Sequence, residues 1–471
     1  MLDGLELSEV NLLNLEYSFR FDAEYYKPTM LYYESIIENH SGSKLLSDCA
    51  DFLIGPFGSA FTVDNYTEDR TYRYIRGKDV KPLQLMDNDN VYMPESDYNR
   101  LIRYALKEND ILVSVVGTIG NAALVMNKDL PGIFSCKSTV VRVRGIQAPY
   151  LLAYLNCKFG QSLLLRKERG AVQKGLNLDD LKTLNVFIPN DPNEFFQSEI
   201  SKLFVTSCEL LAKSKEIYKE AEELLLSELG LLDFIPNDDN IAIKSFSNSF
   251  SISGRLDSEY YQPKYDDIEQ RMYSKPHTFI NKEFLQIITS FDKTKDGYNY
   301  IEIGDVNVSD GVHSYNYVVT EELPANAKIK VANGDLIVST VRPYRGAVSI
   351  INTDDTDLVV SGAFTVLRSK LESNYSIQVL QVLLRTQIYK NFMLKYNVGS
   401  SYPVIKDENV MNLPIPLLSD KIQKQIESKI KQSFALQEQS KQLLELAKRA
   451  VEVAIEDSED SAMELINNAK Y

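Results

Sequence analysis

The pattern of hydrophobic and polar positions changes its period several times along the chain. Apolar side chains near the start recur at helical spacing, which predicts a first helix from Asp22 to Asn39. From about residue 45 to 148 the pattern consists of short β-rich runs separated by Gly, Asn, Asp and Pro. A helical segment from Pro149 to Lys167, a glycine-rich loop and a strand from Leu184 to Ile188 complete the first half.

The same order of elements occurs again in the second half. We predict a helix from Asp257 to Met272, strands near residues 299–306, 329–341 and 358–368, and a helix from about 375 to 396. Both halves therefore predict a mixed α+β module with one common layout.

Each half ends in a long helix with a continuous apolar stripe, roughly Asn193 to Leu229 and Asp420 to Ile455. At the rise of an α-helix these segments extend about 50 to 55 Å. A stripe of that length needs another helix as its partner, so we predict that the two pack antiparallel, like a coiled coil. They would then hold the modules apart by more than one turn of B-DNA, about 34 Å. The alternative is that each helix folds back on its own module.

The repeat is also visible in the residues themselves. The sequence RFDAEYYKP at residues 20–28 returns as RLDSEYYQP at residues 255–263, and NDILVSVV at 109–116 returns as GDLIVSTV at 334–341. Each half also closes on an Ile-Pro pair just before its long helix. A chain that contains two copies of one module is typical of proteins that grip two related targets at a fixed separation.

The predicted fold class is therefore α+β, with two tandem, pseudo-symmetric modules separated by two long antiparallel helices. We place the first module at residues 1–189, the first long helix at 190–235, the second module at 236–418 and the second long helix at 419–456. Residues 457–471 are acidic and show no clear packing face, so we interpret them as a tail.

Composition favours a folded protein without a membrane span or a disulfide framework. The chain is 44% hydrophobic and 10% aromatic, and no apolar run approaches the roughly 20 residues of a membrane helix. Its acidic start has the wrong charge for a signal peptide, so we expect a soluble, cytoplasmic protein. The 4 cysteines are scattered without a Cys-x-x-Cys pair, which indicates buried thiols rather than disulfides or a zinc site.

Net charge depends strongly on the segment. The whole chain carries −15, which by itself argues against a polyanionic partner such as DNA. Residues 70–185, however, hold 18 Lys and Arg against 11 Asp and Glu, a balance of +7, whereas residues 1–69 come to −10 and residues 190–240 to −8. The balance from residue 241 to 449 is close to neutral. The body of the first module therefore offers the stronger electrostatic footprint for nucleic acid.

Catalytic motifs are missing from the sequence. The 3 histidines lie far apart, which leaves little material for a histidine-based metal site or a Ser-His-Asp triad. The run GIFSCKST at residues 132–139 is not a phosphate loop, because Cys stands where Gly should precede the Lys and the spacing is one residue short. No dinucleotide-binding or amino-methyltransferase motif occurs. We therefore expect neither a catalytic site nor a metal site in this chain.

With a duplicated α+β module, a closing Ile-Pro and a long helix in each copy, and no catalytic motif, the sequence resembles the DNA specificity subunits of type I restriction-modification systems. The resemblance runs from about residue 17 to 455. It is carried by the paired RxDxEYYxP segments, the paired Asp-(Ile/Leu)-(Leu/Ile)-Val-Ser strands and the loop GAVQKGL at residues 170–176. The second copy departs from the family's Gly-rich, Gln-Lys-bearing turn and reads GSSYP at residues 399–403.

The resemblance implies a non-catalytic chain that recognises double-stranded DNA. Each module would be a target recognition domain that reads one half of a split, asymmetric site. The long helices would set the gap between the half-sites and dock two methyltransferase subunits, which bind S-adenosylmethionine and methylate adenine. A restriction and translocase subunit that uses ATP and Mg can join such complexes. No cofactor is expected in this chain.

Candidate DNA contacts lie in loops where the two copies differ, because one scaffold with different loops can carry two reading surfaces. Arg and Lys can bond guanine, Gln can pair with adenine, and Gly lets the backbone approach phosphate. The candidates are Arg76, Lys78, Lys137, Gln173 and Lys174 in the first module, and Arg342, Tyr344, Arg345, Ser401 and Tyr402 in the second.

Residues that are identical in both copies have a different expectation. Arg20 and Asp22 return as Arg255 and Asp257. Since they stay fixed between two divergent readers, we predict a structural role, with an Arg-Asp pair orienting the first helix of each module.

Two other classes of protein fit the sequence. A duplicated interaction scaffold would bind proteins through its long helices, and its modules would not touch DNA. An enzyme with a composite site assembled by folding would show turnover as an isolated chain.

Overall fold

The chain is described here from a computed structural model that covers residues 8–10, 20–87, 89–170, 174–189, 194–239, 241–353, 355–399 and 402–469. It divides into two compact units, Met1–Leu211 with Gln437–Tyr471 and Ala212–Leu436. Within these described ranges, no helix is long and apolar enough to cross a membrane, and no three His, Cys, Asp or Glu side chains are grouped to hold a metal ion.

The first unit is built on three sheets. Its strands are β1 (Ser43–Leu45), β2 (Ala50–Ile54), β3 (Tyr72–Ile75), β4 (Leu83–Gln84), β5 (Val91–Met93), β6 (Ile111–Ser114), β7 (Ala122–Leu124), β8 (Gly132–Phe134), β9 (Ser138–Val143) and β10 (Asn185–Phe187). The largest sheet has the order β2-β9-β6-β7-β4, the next β5-β3-β8, and β1 pairs antiparallel with β10.

Most helices of the first unit share one core with the largest sheet. They are α1 (Pro28–Asn39), α2 (Leu46–Cys49), α3 (Glu95–Arg100), α4 (Ala148–Asn156), α5 (Lys158–Arg166), α6 (Leu178–Lys182) and the first half of α7 (Phe195–Leu229). Along β6, Ile111 and Val113 point into a core shared with α4 and α5, whereas Leu112 belongs to a second core against the smaller sheet. The period-2 pattern of this strand therefore serves two buried faces.

Two predicted helices of the first unit are interrupted. The helix predicted from Asp22 begins only at Pro28, after a 3-10 turn at Ala23–Tyr26, because the residue before a proline is held extended and Lys27 has ψ 135°. The helix predicted from Pro149 to Lys167 is two helices, with extended backbone at Cys157 between them.

The second unit repeats this layout. Its strands are β11 (His277–Phe279), β12 (Phe284–Ile287), β13 (Gly297–Ile301), β14 (Asn316–Val319), β15 (Ala327–Lys330), β16 (Leu336–Ser339), β17 (Val348–Ile350), β18 (Leu358–Ser361), β19 (Phe364–Ser369) and β20 (Pro414–Pro416). They form the sheets β12-β19-β16-β17, β14-β13-β18-β15 and β11-β20. The order β12-β19-β16-β17 corresponds to β2-β9-β6-β7 of the first unit.

The helices of the second unit are α8 (Phe250–Ser253), α9 (Pro263–Tyr273), α10 (Ile280–Glu283), α11 (Ile377–Arg385), α12 (Gln387–Leu394) and α13 (Asp407–Met411). The helix predicted from 375 to 396 is again two, interrupted at Thr386, whose side chain accepts a hydrogen bond from the Tyr389 amide and caps α12. The strands predicted at 329–341 and 358–368 are likewise two strands each.

The long helices α7 and α14 (Asp420–Glu456) pack antiparallel, which confirms the prediction for these segments. In the first unit the buried hydroxyls of Ser207 and Ser440 lie 2.8 Å apart, and each also donates to the other residue's carbonyl oxygen. In the second unit Ser214 and Ser433 do the same, with hydroxyls 2.9 Å apart. Small residues with mutually satisfied hydrogen bonds let the two backbones approach closely in both units.

The interpretation of the last residues as a tail without a packing face is wrong for their described part. Residues Glu459–Asn468 form helix α15, with Ser458 as its N-cap. Ala462 and Ile466 of this helix are buried in the core of the first unit. Ala462 and Ile466 are four positions apart and Met463 packs beside them, so the apolar face is short and the acidic composition conceals it.

Candidate nucleic-acid interface

Three segments of the first unit that carry candidate residues meet at Lys137. A Cβ atom on Gly77 would lie only 2.7 Å from the Cβ of Lys137, so the 3-10 turn Gly77–Asp79 packs directly against it. The carbonyl oxygen of Lys137 accepts from the amide of Val115 over 2.9 Å, and the carbonyl oxygen of Val115 accepts from the amide of Leu176 over 2.9 Å. The strand end at Val115 thus joins Lys137 to the base of the glycine-rich loop.

Arg76 and Lys78 are engaged with carboxylates of their own unit. Arg76 donates to the buried Asp79 over 2.9 Å from two nitrogens, and Lys78 donates to Asp89 over 2.7 Å. The hydrogen bond from Lys78 lowers the pKa of the Asp89 carboxyl. The side chain of Arg76 is only 17% exposed, whereas that of Lys78 is 56% exposed. In this arrangement Lys78 is the more accessible of the two.

The equivalent turn of the second unit keeps the capping aspartate, but Glu302 stands where the first unit has Arg76. The Asp79 carboxylate accepts from the backbone amide of Arg76 over 2.8 Å, and the Asp305 carboxylate accepts from the amide of Glu302 over the same distance. The aspartate therefore builds the turn, and the residue at its start is free to differ between the copies.

Lys174 lies at the base of the glycine-rich loop. Its exposed ammonium group forms an ion pair with Glu168 at 2.5 Å, and this hydrogen bond raises the pKa of Lys174. The loop is closed by two backbone hydrogen bonds between Arg169 and Gly175. Gln173 lies outside the described residues.

The candidates of the second unit cluster around the left-handed residue Arg342. Its φ is +49°, its amide donates to the carbonyl oxygen of Pro403 over 2.8 Å, and its guanidinium lies 4.8 Å from the ring centre of Tyr402. The adjoining turn Pro343–Arg345 exposes Tyr344 and Arg345. Ser401 lies outside the described residues. The structure thus joins the turn after β16 to the loop that holds Tyr402.

The loop with GSSYP is the second unit's counterpart of the glycine-rich loop, and we use the same name for it. It has the same backbone anchors as the first loop despite its different sequence. The amide of Ile405 donates to the carbonyl oxygen of Thr340, and the amide of Thr340 donates to the carbonyl oxygen of Ala363, each over 2.9 Å. These bonds match the chain from Leu176 through Val115 to Lys137. Gly170 and Gly399, at the start of the two loops, both have positive φ, +103° and +113°. Backbone anchoring therefore tolerates the departure of GSSYP from the family pattern.

Phe57 is a residue of this surface that the sequence does not single out. It is 86% exposed and stands between Gly55-Pro56 and Gly58. A Cβ on Gly58 would lie 3.7 Å from the sulfur of Cys136, so the loop passes beside the residue that precedes Lys137. A single phenylalanine between glycines shows no hydrophobic periodicity, so pattern analysis does not select it. The flanking Gly-Pro and Gly, which mark a loop, were the sequence signal that could have drawn attention to Phe57.

The basic candidates of the two units differ in their ion pairing. Within the described part of the first unit, Arg76, Lys78 and Lys174 have acidic partners and Lys137 has none. Arg342 and Arg345 form no ion pair with any described residue of the second unit. A paired cation must exchange a carboxylate for a phosphate or base when DNA binds, whereas an unpaired one gains a new partner.

The sequence matches one family model twice. The model is described as the type I restriction modification DNA specificity domain, and the matched residues are 54–223 and 280–447. The two matches together cover well over half of the 471 residues. No curated protein sequence gives a significant match.

Three solved structures are similar to the chain over most of its length, each at 13% identity. The alignment with the S subunit of a type I restriction-modification system from M. genitalium covers 91% of this chain and 96% of that subunit, with a TM-score of 0.39. The alignment with the HsdS subunit from Thermoanaerobacter tengcongensis covers 89% of this chain and 97% of that subunit, with a TM-score of 0.29. A chain from a study of complex assembly and conformational transition in the type I system covers 91% and 97%, with a TM-score of 0.27. These scores add no support beyond the family match.

Proposed function

Because the chain belongs to the family of type I restriction modification DNA specificity domains, we propose that its two units read the two halves of a bipartite, asymmetric DNA target. The chain is the DNA specificity subunit of a type I restriction-modification system, and the members of this family are non-catalytic. The reading surface in the first unit comprises Lys78, Lys137 and the loop with Lys174. In the second unit it comprises Arg342, Arg345 and Tyr402.

One observation carries this choice of surface. In both units the glycine-rich loop is anchored through the same backbone hydrogen bonds to the end of a central strand, β6 or β16, while the side chains around it differ. A constant frame with variable side chains is what two readers of different base sequences need. Arg76 belongs to the surface in a lesser role, since its guanidinium is held by Asp79.

We assign Phe57 and Tyr344 to the same surfaces as aromatic contacts. Both rings are exposed, at 86% and 38%, beside the basic candidates. Aromatic side chains next to cations can stack on or wedge against bases once the cations hold the phosphate backbone. Gln173 and Ser401 remain predicted contacts because they are members of the two loops.

The partners of the chain follow from the family. We propose that it assembles with two methyltransferase subunits, which bind S-adenosylmethionine and methylate adenine. A restriction and translocase subunit would bring the requirement for ATP and Mg. Residues 1–189 and 236–418 are the proposed target recognition domains, and α7 and α14 form the spacer between them.

A map of adenine methylation at single-base resolution tests this function. Cells that produce the chain with its methyltransferase partner should modify a split motif, and cells that lack only this chain should lose it. The rival reading as an interaction scaffold predicts an unchanged map and no retention of the assembled complex on duplex DNA at low salt. Either result would contradict the proposed function.

A further inference from the structure

The Arg-x-Asp segment at the start of the first unit holds the base of the glycine-rich loop. The guanidinium of Arg20 donates to the carboxylate of Asp22 over 2.9 Å and to the carbonyl oxygen of Glu168 over 2.7 Å. Glu168 comes directly before Arg169, whose backbone exchanges hydrogen bonds of 2.9 and 2.8 Å with Gly175 and so closes the loop. Arg20 is only 9% exposed, so its guanidinium is largely buried although Asp22 is exposed at 45%.

The repeated segment does the same in the second unit. Arg255 donates to the carboxylate of Asp257 over 2.8 Å and to the carbonyl oxygen of Asn397 over 2.6 Å. Asn397 again comes directly before the residue that closes the loop, because the amide of Val398 donates to the carbonyl oxygen of Val404 over 2.9 Å. Two segments with only part of their sequence in common therefore place an arginine on the same backbone position.

A tyrosine ring fixes the direction of each arginine. The guanidinium groups of Arg20 and Arg166 lie 4.3 and 3.9 Å from the ring centre of Tyr25, which is fully buried. Tyr260 has the same relation to two cations in the second unit, at 4.6 and 5.0 Å. Contacts between cations and aromatic faces restrict the long arginine side chain to one arrangement.

We propose that Arg20 and Arg255 are positioning residues, which set the height and direction of the two glycine-rich loops relative to DNA. The proposal rests on the proposed function of those loops in reading DNA. Arginine suits the role because its planar fork of donors bonds a carboxylate and a carbonyl oxygen at once. The device bonds backbone carbonyl oxygens and is independent of the loop sequence, which explains why it is common to two units with different loops.

Substitution of each arginine in the full chain, assembled with its modification partners, tests the proposal. Arg20→Gln should lower the discrimination between the correct base and a wrong base about tenfold in one half-site, and leave the other half-site unchanged. Arg255→Gln should do the same in the opposite half-site. The measurement is the rate of methylation of duplexes with single base changes in each half, per amount of folded complex. Arg20→Lys, which keeps the charge, should restore part of the discrimination.

Hydrogen exchange gives a second, local measurement. The amides of Gly175 and Leu176 should exchange faster in Arg20→Gln, because the loop base loses its tie, while amides of β6 should be unaffected. Where Arg20→Gln does not accumulate, Asp22→Asn is measured by the same two criteria.

Arg144→Gln is the matched control in the first unit. Arg144 also joins a carboxylate, that of Asp51 at 3.2 Å, to a carbonyl oxygen, that of Ser47 at 3.1 Å, and it makes no bond to the described residues of the loop. It should leave discrimination unchanged. The proposal is overturned if Arg20→Gln and Arg255→Gln lower only the melting temperature, or if each relaxes both half-sites equally. A wild-type complex that shows no half-site preference would instead refute the proposed function.

Discussion

Lys137 differs from the other basic candidates of the first unit in its ion pairing. Its ammonium has no acidic partner among the described residues, whereas that of Lys174 is paired with Glu168 at 2.5 Å. We therefore expect Lys137→Ala to weaken DNA binding and to reduce the salt slope of log K by about 0.9, the effect of one lost phosphate contact. Lys174→Ala should change the slope less, because the Glu168 carboxylate already neutralises the Lys174 ammonium.

Binding isotherms across a salt series measure this difference. Phe57→Ala is the control: it removes an aromatic contact without a charge, so affinity should fall while the slope stays the same. Equal slopes for the wild type and Lys137→Ala would place Lys137 away from the phosphate backbone.

Arg345 is the corresponding test residue of the second unit. It is exposed, forms no ion pair with a described residue and stands in a turn fixed by Pro343. Arg345→Ala should relax selectivity about tenfold in a single half-site, because one base contact by arginine supplies discrimination of that order. Methylation of duplexes with single base changes measures it, and a pattern identical to that of the wild type at every base would contradict the assignment.

At the scale of elements, both units hold the central strand to its neighbour by a buried carboxylate. Asp110 at the start of β6 accepts two hydrogen bonds of 2.7 Å from Arg142 on β9. Asp335 at the start of β16 accepts bonds of 2.6 and 2.8 Å from Arg368 on β19, and it is fully buried. The pair orients the strand whose far end anchors the loop that we propose to contact DNA.

Asp335→Asn should therefore lower the free energy of unfolding by about 2 kcal/mol, because an amide cannot accept both charge-assisted bonds. Urea unfolding of the purified chain measures the change. Glu216→Gln breaks an exposed ion pair with Lys213 and should cost less than about 0.5 kcal/mol. A loss for Asp335→Asn as small as that of the control would show that the buried pair does not stabilise the unit.

Helix α15 makes a second prediction at this scale. Ile466→Ala removes a side chain that is 4% exposed in the core of the first unit, and it should destabilise the protein by about 2 to 4 kcal/mol. The neighbouring exposed residue Asn467 serves as the control, since Asn467→Ala should have almost no effect. Equal unfolding curves for the two variants would show that α15 does not stabilise the first unit by packing in its core.

For the molecule as a whole, the proposed function has each unit read its own half of the target. Lys137 and Arg345 belong to different units. Their free energies of binding should then be additive, so the double variant Lys137→Ala/Arg345→Ala should match the sum of the single variants within about 0.5 kcal/mol. Binding measured at one salt concentration provides the test, and a coupling well above that value would mean that the two halves are not read independently.

Sequence patterns were enough to predict the duplication, the α+β class of both halves and the two long helices. These features rest on periodicity and on repeated residues, which are local properties of the chain. The interruptions at Cys157 and Thr386 were not predicted, because neither residue is a Pro or a Gly that would mark a helix break in the sequence. The burial of α15 was missed for a similar reason, since a short acidic helix shows its packing face only against a partner.

For the candidate surfaces, too, some features could be predicted from the sequence and others depend on the fold. Residue type and the divergence of the loops select Lys137, Arg342 and Arg345 as candidates, and their contact with DNA stays a prediction. The pairing of Arg76 and Lys174 with carboxylates is visible in the folded units alone, because ion pairing depends on neighbours that folding brings together. The repeated Arg-x-Asp segments show the same limit. Their conservation within the chain predicted an Arg-Asp pair, but the carbonyl oxygens that each arginine holds lie more than a hundred residues away, at a loop base that exists only in the folded unit.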